Sequence, residues 1–233
     1  MNRIALLLAF SLVTACSSSS TDTSSDTSTD TSTSTSTDTS TSTSTSTSTS
    51  TSTSTSTDPL DAVRAALVGD WQTGCFAIGN GQHAQTTFHI DEARWAVDAA
   101  IHGDAACSFA LGVAHIEGPH EITSASTKVD GASEGTFFFD ARTLTPKAQP
   151  FADYLNTLSG CGAGGFQVDV ATDVLTAGCP PFGVYPKSLC AADYDLVKVD
   201  ATTLQFGMRP ADNDMCTPEK RPTTLNPEVL HKQ

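Results

Sequence analysis

A tract from residue 17 to residue 57 limits how much of this chain can fold. It contains only Ser, Thr and four aspartates, Asp22, Asp26, Asp30 and Asp38. A segment without apolar side chains has nothing to bury, so it cannot offset the entropy lost on ordering. We therefore predict that residues 16–57 are a disordered tether, with a root-mean-square span of roughly 35 Å. Its dense hydroxyl groups could also carry O-linked sugar.

The residues before the tract follow the order of a bacterial export signal. Met1-Asn2-Arg3 supplies a positive start, and a mainly apolar run extends to Val13. This run is too short to span a bilayer as a helix, which needs about 20 apolar residues. Its length suits a secretory signal peptide, which we predict at residues 1–15.

The stretch Val13-Thr14-Ala15-Cys16 resembles the lipobox of bacterial lipoproteins, in which an aliphatic residue and two small residues precede a cysteine. The resemblance implies cleavage before Cys16, diacylglycerol on its thiol and an acylated amino terminus. Two or three acyl chains anchor a protein stably, whereas one gives only marginal binding. Ser17 stands where many lipoproteins of the inner membrane have aspartate, so the resemblance implies the outer membrane or cell surface. The alternative is an ordinary signal peptide followed by a chance cysteine.

Residues 58–233 are the part of the chain that can form a domain. They number 176, enough for one domain with a sizeable core. They contain 11 Lys and Arg residues against 22 Asp and Glu residues. This acidic balance argues against nucleic acid as a partner, which calls for clustered positive charge. It also argues against docking on anionic lipid head groups.

Six cysteines remain when Cys16 is set aside, and an even number predicts disulfides in an exported domain. We expect Cys75 to pair with Cys107, because each belongs to a neighbouring predicted strand region. We expect local pairing among the four cysteines of the second half, Cys161, Cys179, Cys190 and Cys216. No CxxC pair or Cys/His spacing suggests zinc.

Two helices are predicted. Asp58 and Pro59 are typical of a helix start, and Gly69 of its end. Thr145 and Pro146 predict the start of a second helix, which would end before Gly160. Its apolar residues recur at a spacing of three and four: Ala148, Phe151, Ala152, Leu155 and Leu158.

Most of the remaining domain is predicted to be strand. Short segments with alternating or β-branched residues are bounded by Gly, Asp, Pro or Ser, which is typical of strands. After a first strand opening at Gly69, these segments are 85–90, 94–101, 113–122, 136–141, 166–170, 194–199 and 203–208. A helix followed by a strand meander with one inserted helix favours a mainly β fold. We predict a lipocalin-like antiparallel barrel or a strongly curved half-barrel.

Several short motifs resemble known families. Gly69-Asp-Trp71 resembles the Gly-x-Trp signature of lipocalins, Ala192-Asp193-Tyr194 resembles their Thr-Asp-Tyr motif, and Arg209 lies where they have an arginine. The resemblance implies that Trp71 closes one end of a barrel, beneath the helix at Leu60 to Leu67.

A wider similarity is to the extracellular domain of the adenomatosis polyposis coli down-regulated family, membrane-anchored Wnt antagonists. It rests on Gly69-x-Trp71-x-x-x-Cys75, Asp104-Ala-Ala-Cys107, Glu117-Gly118, Gly131 to Phe139, Leu204 to Gly207 and Arg221 to Pro227. That family has two such domains in each chain, and this chain has room for one. The resemblance implies the architecture and a hydrophobic cavity for a lipid-like ligand. The candidate cavity residues are Trp95, Phe109, Phe137, Phe139 and Phe166, and the alternative is a barrel packed solid by these rings.

The sequence contains no pattern that argues for a catalytic or metal site. We therefore predict no cofactor and no enzymatic activity. Within the stretch His115 to Glu121, Gly118-Pro119 interrupts the strand pattern before His120, so exposed polar residues are favoured over a metal site. Asp212-Asn213-Asp214 lacks the full spacing of a calcium loop and favours a turn. No nucleophile elbow, HExxH motif or phosphate loop is present.

We expect a lipid-anchored envelope protein whose partners are the membrane, through the anchor, and a hydrophobic small molecule. The alternatives are a non-catalytic structural or protein-interaction module and an unrecognised hydrolase.

Overall fold

The computed structural model describes residues 58–233. The predicted signal peptide, the lipidated Cys16 and the tether fall on residues 1–57, outside the described residues, and stay predictions.

The described domain is mainly β, and its strands form one antiparallel sheet. The eleven strands are β1 (Gly69–Thr73), β2 (Phe76–Gly79), β3 (Gln82–Ile90), β4 (Arg94–His102), β5 (Ala110–Ala125), β6 (Ser133–Phe138), β7 (Ala141–Pro146), β8 (Thr172–Asp173), β9 (Ala192–Val199), β10 (Thr203–Phe206) and β11 (Leu230–Lys232). The two α-helices are α1 (Asp61–Leu67) and α2 (Gln149–Thr157), and single 3₁₀ turns lie at Pro180–Phe182 and Pro218–Lys220.

Eight of these strands close into a barrel. Strands β1, β3, β4, β5, β6, β9, β10 and β11 each pair with the next member of this set, and β11 pairs back with β1. Every pairing is antiparallel, so the barrel is an up-and-down meander of the kind that lipocalins form. The predicted fold class is confirmed, and of its two forms the domain adopts the closed barrel.

Strand β5 is where the sheet changes partners. It pairs with β4 on one side, and on the other side its first part pairs with β7 and its last part with β6. Gly118 lies at this change. A Cβ atom there would be 2.0 Å from the carbonyl oxygen of Phe138, so only glycine lets the two chains approach so closely. Strand β5 runs through Gly118 and Pro119 to Ala125, as the predicted strand 113–122 requires, so these two residues do not interrupt it before His120.

Helix α1 confirms the first predicted helix. Asp58 precedes it, and its Oδ1 accepts a hydrogen bond from the backbone N of Leu60 at 3.0 Å. Arg64 ties the helix to the barrel, because its Nη2 donates to the carbonyl oxygen of Ile122 at 2.9 Å. The apolar face of α1 packs on the cluster that fills this end of the barrel.

Trp71 is fully buried in that cluster, as the lipocalin resemblance implies. Its Nε1 donates to the carbonyl oxygen of Leu67, at the end of α1, at 2.8 Å. The cation against its ring is Lys232, whose Nζ lies 5.0 Å from the ring centroid. Arg209 forms an ion pair with Asp193.

The second helix begins later than predicted. Thr145 and Pro146 belong to β7 and pair with β5, and α2 starts at Gln149. Pro150 takes the first-turn position that the prediction assigned to Pro146, and proline suits that position because no N–H bond is lost there. The buried side chains of α2 belong to the predicted stripe: Phe151, Ala152 and Leu155. Within the described part of the chain, no helix has the length and apolar character needed to cross a membrane.

The strand predicted at 166–170 is wrong. Phe166 bonds to a helix side chain instead of a strand, because its N donates to Asn156 Oδ1 at 2.7 Å and Asn156 Nδ2 donates to its O at 2.9 Å. Asp169 has a φ of 61°, in the left-handed region that strands do not use. The other predicted strands are present with shifted ends, and the sequence does not predict β2, β7, β8 or β11.

A second apolar cluster lies on the segment between β7 and β9. Side chains of this segment, including Phe151, Leu155 and Phe182, pack with Ile101 of β4 and Leu144 of β7. Ile101 has the same phase on β4 as the buried Trp95 and Val97, so the segment covers the inner face of the sheet away from α1. The interior of the barrel therefore lies between two apolar clusters.

Three disulfides join the six cysteines of the domain. Cys75–Cys107 confirms the predicted pair, and Cys161–Cys179 and Cys190–Cys216 confirm local pairing in the second half. The last two bonds hold both ends of residues 179–190, which we call the strap.

Candidate ligand cavity

A cavity of about 270 Å³ lies inside the barrel, between the two apolar clusters. Its wall combines inward side chains of the strands with residues 182–185 of the strap. The alternation of strand side chains explains the lining, because on β4 Trp95, Val97 and Ala99 line the cavity and their neighbours point to the other face. Trp71 is not part of this wall and packs the α1 end.

Four of the aromatic rings that line the cavity contact one another, and we call them the aromatic quartet: Phe88, Trp95, Phe137 and Phe206. The centroids of Phe88 and Phe206 are 4.6 Å apart in a stacked arrangement. Phe137 meets Trp95 at 5.3 Å and Phe206 at 5.5 Å, in both cases edge to face. These separations and angles are the favourable ones for aromatic pairs, so the quartet is a mutually supported apolar surface.

Arg142 on β7 brings a buried positive charge to the cavity wall. Only 6% of the residue is exposed. Its Nη1 donates to the carbonyl oxygen of Tyr185 at 2.9 Å, and its guanidinium carbon lies 3.4 Å from the centroid of the Phe139 ring. Burial lowers the pKa of Arg142 to about 10, against the attraction of Asp193. The side chain therefore stays charged at neutral pH.

Asp193 and Arg209 form an ion pair on the same wall. Arg209 Nη2 donates to Asp193 Oδ2, and Arg209 Nη1 donates to Asn213 Oδ1 at 2.7 Å. Asp193 is buried whereas the Arg209 side chain is 38% exposed. The charge of Asp193 is therefore matched by a cation that reaches toward solvent.

Asp195, two residues further along β9, has a carboxyl group with an unusual environment. Its Oδ1 accepts hydrogen bonds from the backbone N of Leu196 at 2.7 Å and of Gly207 at 2.9 Å. Burial raises the pKa of Asp195 to about 7, against the opposing attraction of Arg209 and with the repulsion of Asp193 adding to it. This carboxyl group therefore changes charge close to neutral pH.

The strap forms a wall that is held at both ends by disulfides. Between them, the Tyr185 hydroxyl donates to the carbonyl oxygen of Asp212 at 3.0 Å, and Asn213 Nδ2 donates to that of Gly183 at 3.0 Å. Together with the bond from Arg142, these contacts fix the strap against the cavity at three points.

The structure brings two of the five predicted cavity residues to the cavity: Trp95 and Phe137 line it. Phe139 is buried beneath the guanidinium of Arg142 and does not line the cavity. Phe166 lies in the second apolar cluster, because its segment folds against α2. Phe109 is 56% exposed in the loop before β5, so its prediction as a cavity residue is wrong.

Most residues of the cavity wall are not predicted by the sequence. Phe88 was predictable, because the alternation in residues 85–90 puts its side chain on the opposite face of the strand from that of Thr87. Arg142, Asp193 and Asp195 were not, because charged residues in strands usually face water. Their burial follows from the phase of β7 as it pairs with β5 and from the phase of β9 in the closed barrel.

The histidines lie outside this cavity. His115 Nδ1 contacts Asp98 Oδ1 at 2.7 Å on the outer face of the barrel, in a shallow depression of about 450 Å³. In residues 58–233, no three or more His, Cys, Asp and Glu side chains come together as ligands for a metal ion.

Comparison with models of known protein families and with curated proteins finds no match. The geometry of the cavity is therefore the basis on which a function can be proposed.

Proposed function

We propose that this protein is a lipid-anchored envelope protein whose barrel binds a small hydrophobic molecule. The observation that carries the proposal is the cavity bounded by the aromatic quartet. At about 270 Å³ it lies just below the range of roughly 300–1,000 Å³ that is usual for ligand pockets. The occupant is therefore a small molecule or a single short chain.

A hollow of this size is costly if it has no occupant. Native interiors are packed with few voids larger than a water molecule. A dry apolar cavity of about 270 Å³ would cost at most on the order of 6 kcal/mol, at about 24 cal/mol per Å³. Water at the polar wall reduces that cost, but it cannot solvate the quartet favourably. An apolar ligand that packs against the quartet would remove this apolar surface from contact with water.

The anchor follows from the sequence around Cys16, and the tether would hold the barrel away from the membrane surface. The two parts suit a protein that collects a sparingly soluble molecule near a membrane. An export route also accounts for three disulfides, which form in oxidising compartments.

The test is native mass spectrometry of the chain from Ser17 onward, exported behind a cleavable signal peptide so that the disulfides form. The expected result is a co-purified small molecule, released on denaturation, or displacement of a fluorescent fatty-acid probe with one site per chain. Trp95→Ala should weaken binding of the probe. Phe109→Ala is the matched control and should leave it unchanged, because that ring is outside the cavity. No bound molecule and no probe binding would refute ligand binding and favour the interaction module.

A further inference from the structure

Arg142 is a buried cation without an anion. Among residues 58–233 it makes no ion pair, and no described residue accepts a hydrogen bond from its Nε, which is enclosed. The single hydrogen bond of the guanidinium goes from Nη1 to Tyr185, which leaves the edge formed by Nε and Nη2 without a protein acceptor. A buried charge normally has a partner and further hydrogen bonds, because removing it from water is expensive.

The other charged groups that line the cavity do not supply this anion. Asp193 is already paired with Arg209. Asp195 turns its Oδ1 to two backbone N–H groups, and Glu228 lines the cavity without an ion pair to Arg142. Arg142 is therefore the one cation of the described cavity wall whose charge is not matched by direct contact.

We propose that the ligand is an amphipathic monocarboxylic acid, whose carboxylate accepts a hydrogen bond from Nη2 of Arg142 and whose apolar chain lies on the aromatic quartet. This inference rests on the proposed function and adds the chemical class of the ligand. A hydrogen bond from an arginine N–H group to a carboxylate is charge-assisted and belongs to the stronger class of hydrogen bonds. One face of the guanidinium packs on Phe139, and of its two unpartnered nitrogens Nε is enclosed whereas Nη2 is not, so Nη2 is the donor that a ligand can reach.

The surroundings select a single negative charge. Asp193 and Asp195 lie on the same wall, and a dianion such as a phosphate monoester would be repelled by both. The volume of about 270 Å³ limits the apolar part to a short or medium chain. Long, branched or two-chain lipids do not fit this volume.

The experiment is isothermal titration calorimetry with saturated acids from hexanoic to dodecanoic and the alcohols of equal length. The protein is the exported chain from Ser17 onward. The unaltered chain should bind the best-fitting acid about tenfold or more tightly than its alcohol, since hydrogen bonds to charged groups are the stronger class. In Arg142→Met the acid should lose about ten- to hundredfold in affinity, while the alcohol changes little. Arg94→Met, an exposed arginine at the start of β4, is the matched control and should leave both affinities unchanged.

The acid and alcohol series distinguish a failure of the role of Arg142 from a failure of the proposed function. Equal affinity for acid and alcohol in the unaltered chain, or an acid preference that survives Arg142→Met, would overturn the role of Arg142 and leave the hydrophobic site intact. No binding of either series would refute the proposed function together with the inference. If Arg142→Met does not fold, as judged by near-ultraviolet circular dichroism, the comparison in the unaltered chain and in Arg142→Lys decides. Arg142→Lys keeps the positive charge but loses the planar guanidinium. Its preference for the acid over the alcohol should therefore be reduced and still present.

Discussion

Replacing Asp195 by asparagine should make the stability of the domain less dependent on pH. The folded state raises the pKa of this carboxyl group from 3.8 to about 7, mainly through burial. Between these values the folded state binds a proton that the unfolded state has released, so stability falls as pH rises. Three pKa units correspond to a loss of about 4 kcal/mol, complete above the folded pKa and absent below the unfolded one. Asparagine cannot ionise, and its Oδ1 can still accept the bonds from Leu196 and Gly207.

The measurement is urea unfolding of the parent and of Asp195→Asn at pH values from about 4 to about 8, with the disulfides intact. The stability difference between variant and parent should move in favour of the variant by up to about 4 kcal/mol across this range. Comparing the stability difference at the lowest and the highest pH removes any pH-independent cost of the amide N–H groups that asparagine introduces. Asp153→Asn, an exposed carboxylate on α2, is the control and should stay within about 0.5 kcal/mol at every pH. A difference for Asp195→Asn that is flat with pH would refute the reasoning, because the carboxyl group would then ionise as it does in water.

Three further predictions concern packing and the anchor. Trp71→Ala should cost about 3–5 kcal/mol as a core truncation, whereas Trp95→Ala should cost less, because a cavity wall already lacks neighbours on one side; equal losses in urea unfolding would contradict the cavity. Gly118→Ala should unfold the domain or shift β5, since its Cβ would lie 2.0 Å from the Phe138 oxygen, and a native circular dichroism spectrum at unchanged melting temperature would contradict that approach. Cys16→Ser should abolish partitioning into a detergent phase and labelling with palmitate while the domain stays folded; retained labelling would exclude Cys16 as the attachment site.

Two outcomes show how far local patterns reach. The stripe on α2 and the alternation of Trp95 and Val97 on β4 are local periodicities, and the structure confirms both. The ends of the same elements are less well predicted. Thr145 and Pro146 have the form of a helix start, yet pairing with β5 holds them in a strand. A local capping signal is worth about 1 kcal/mol, and the sheet contacts outweigh it.

Export, the lipid anchor and the tether are predictions of the sequence alone, because they depend on the order of residue types along the chain and need no fold. The mainly β class and the local disulfide pairing were also predictable, since alternation and cysteine count are visible in one dimension. The cavity was decided by the tertiary structure. The pairing of β7 with β5, and of β9 with β6 and β10, sets the phase of these strands, so it decides that Arg142 and Asp195 face inward. A buried charge has no signature in a strand pattern, because its burial comes from strands that are distant in sequence.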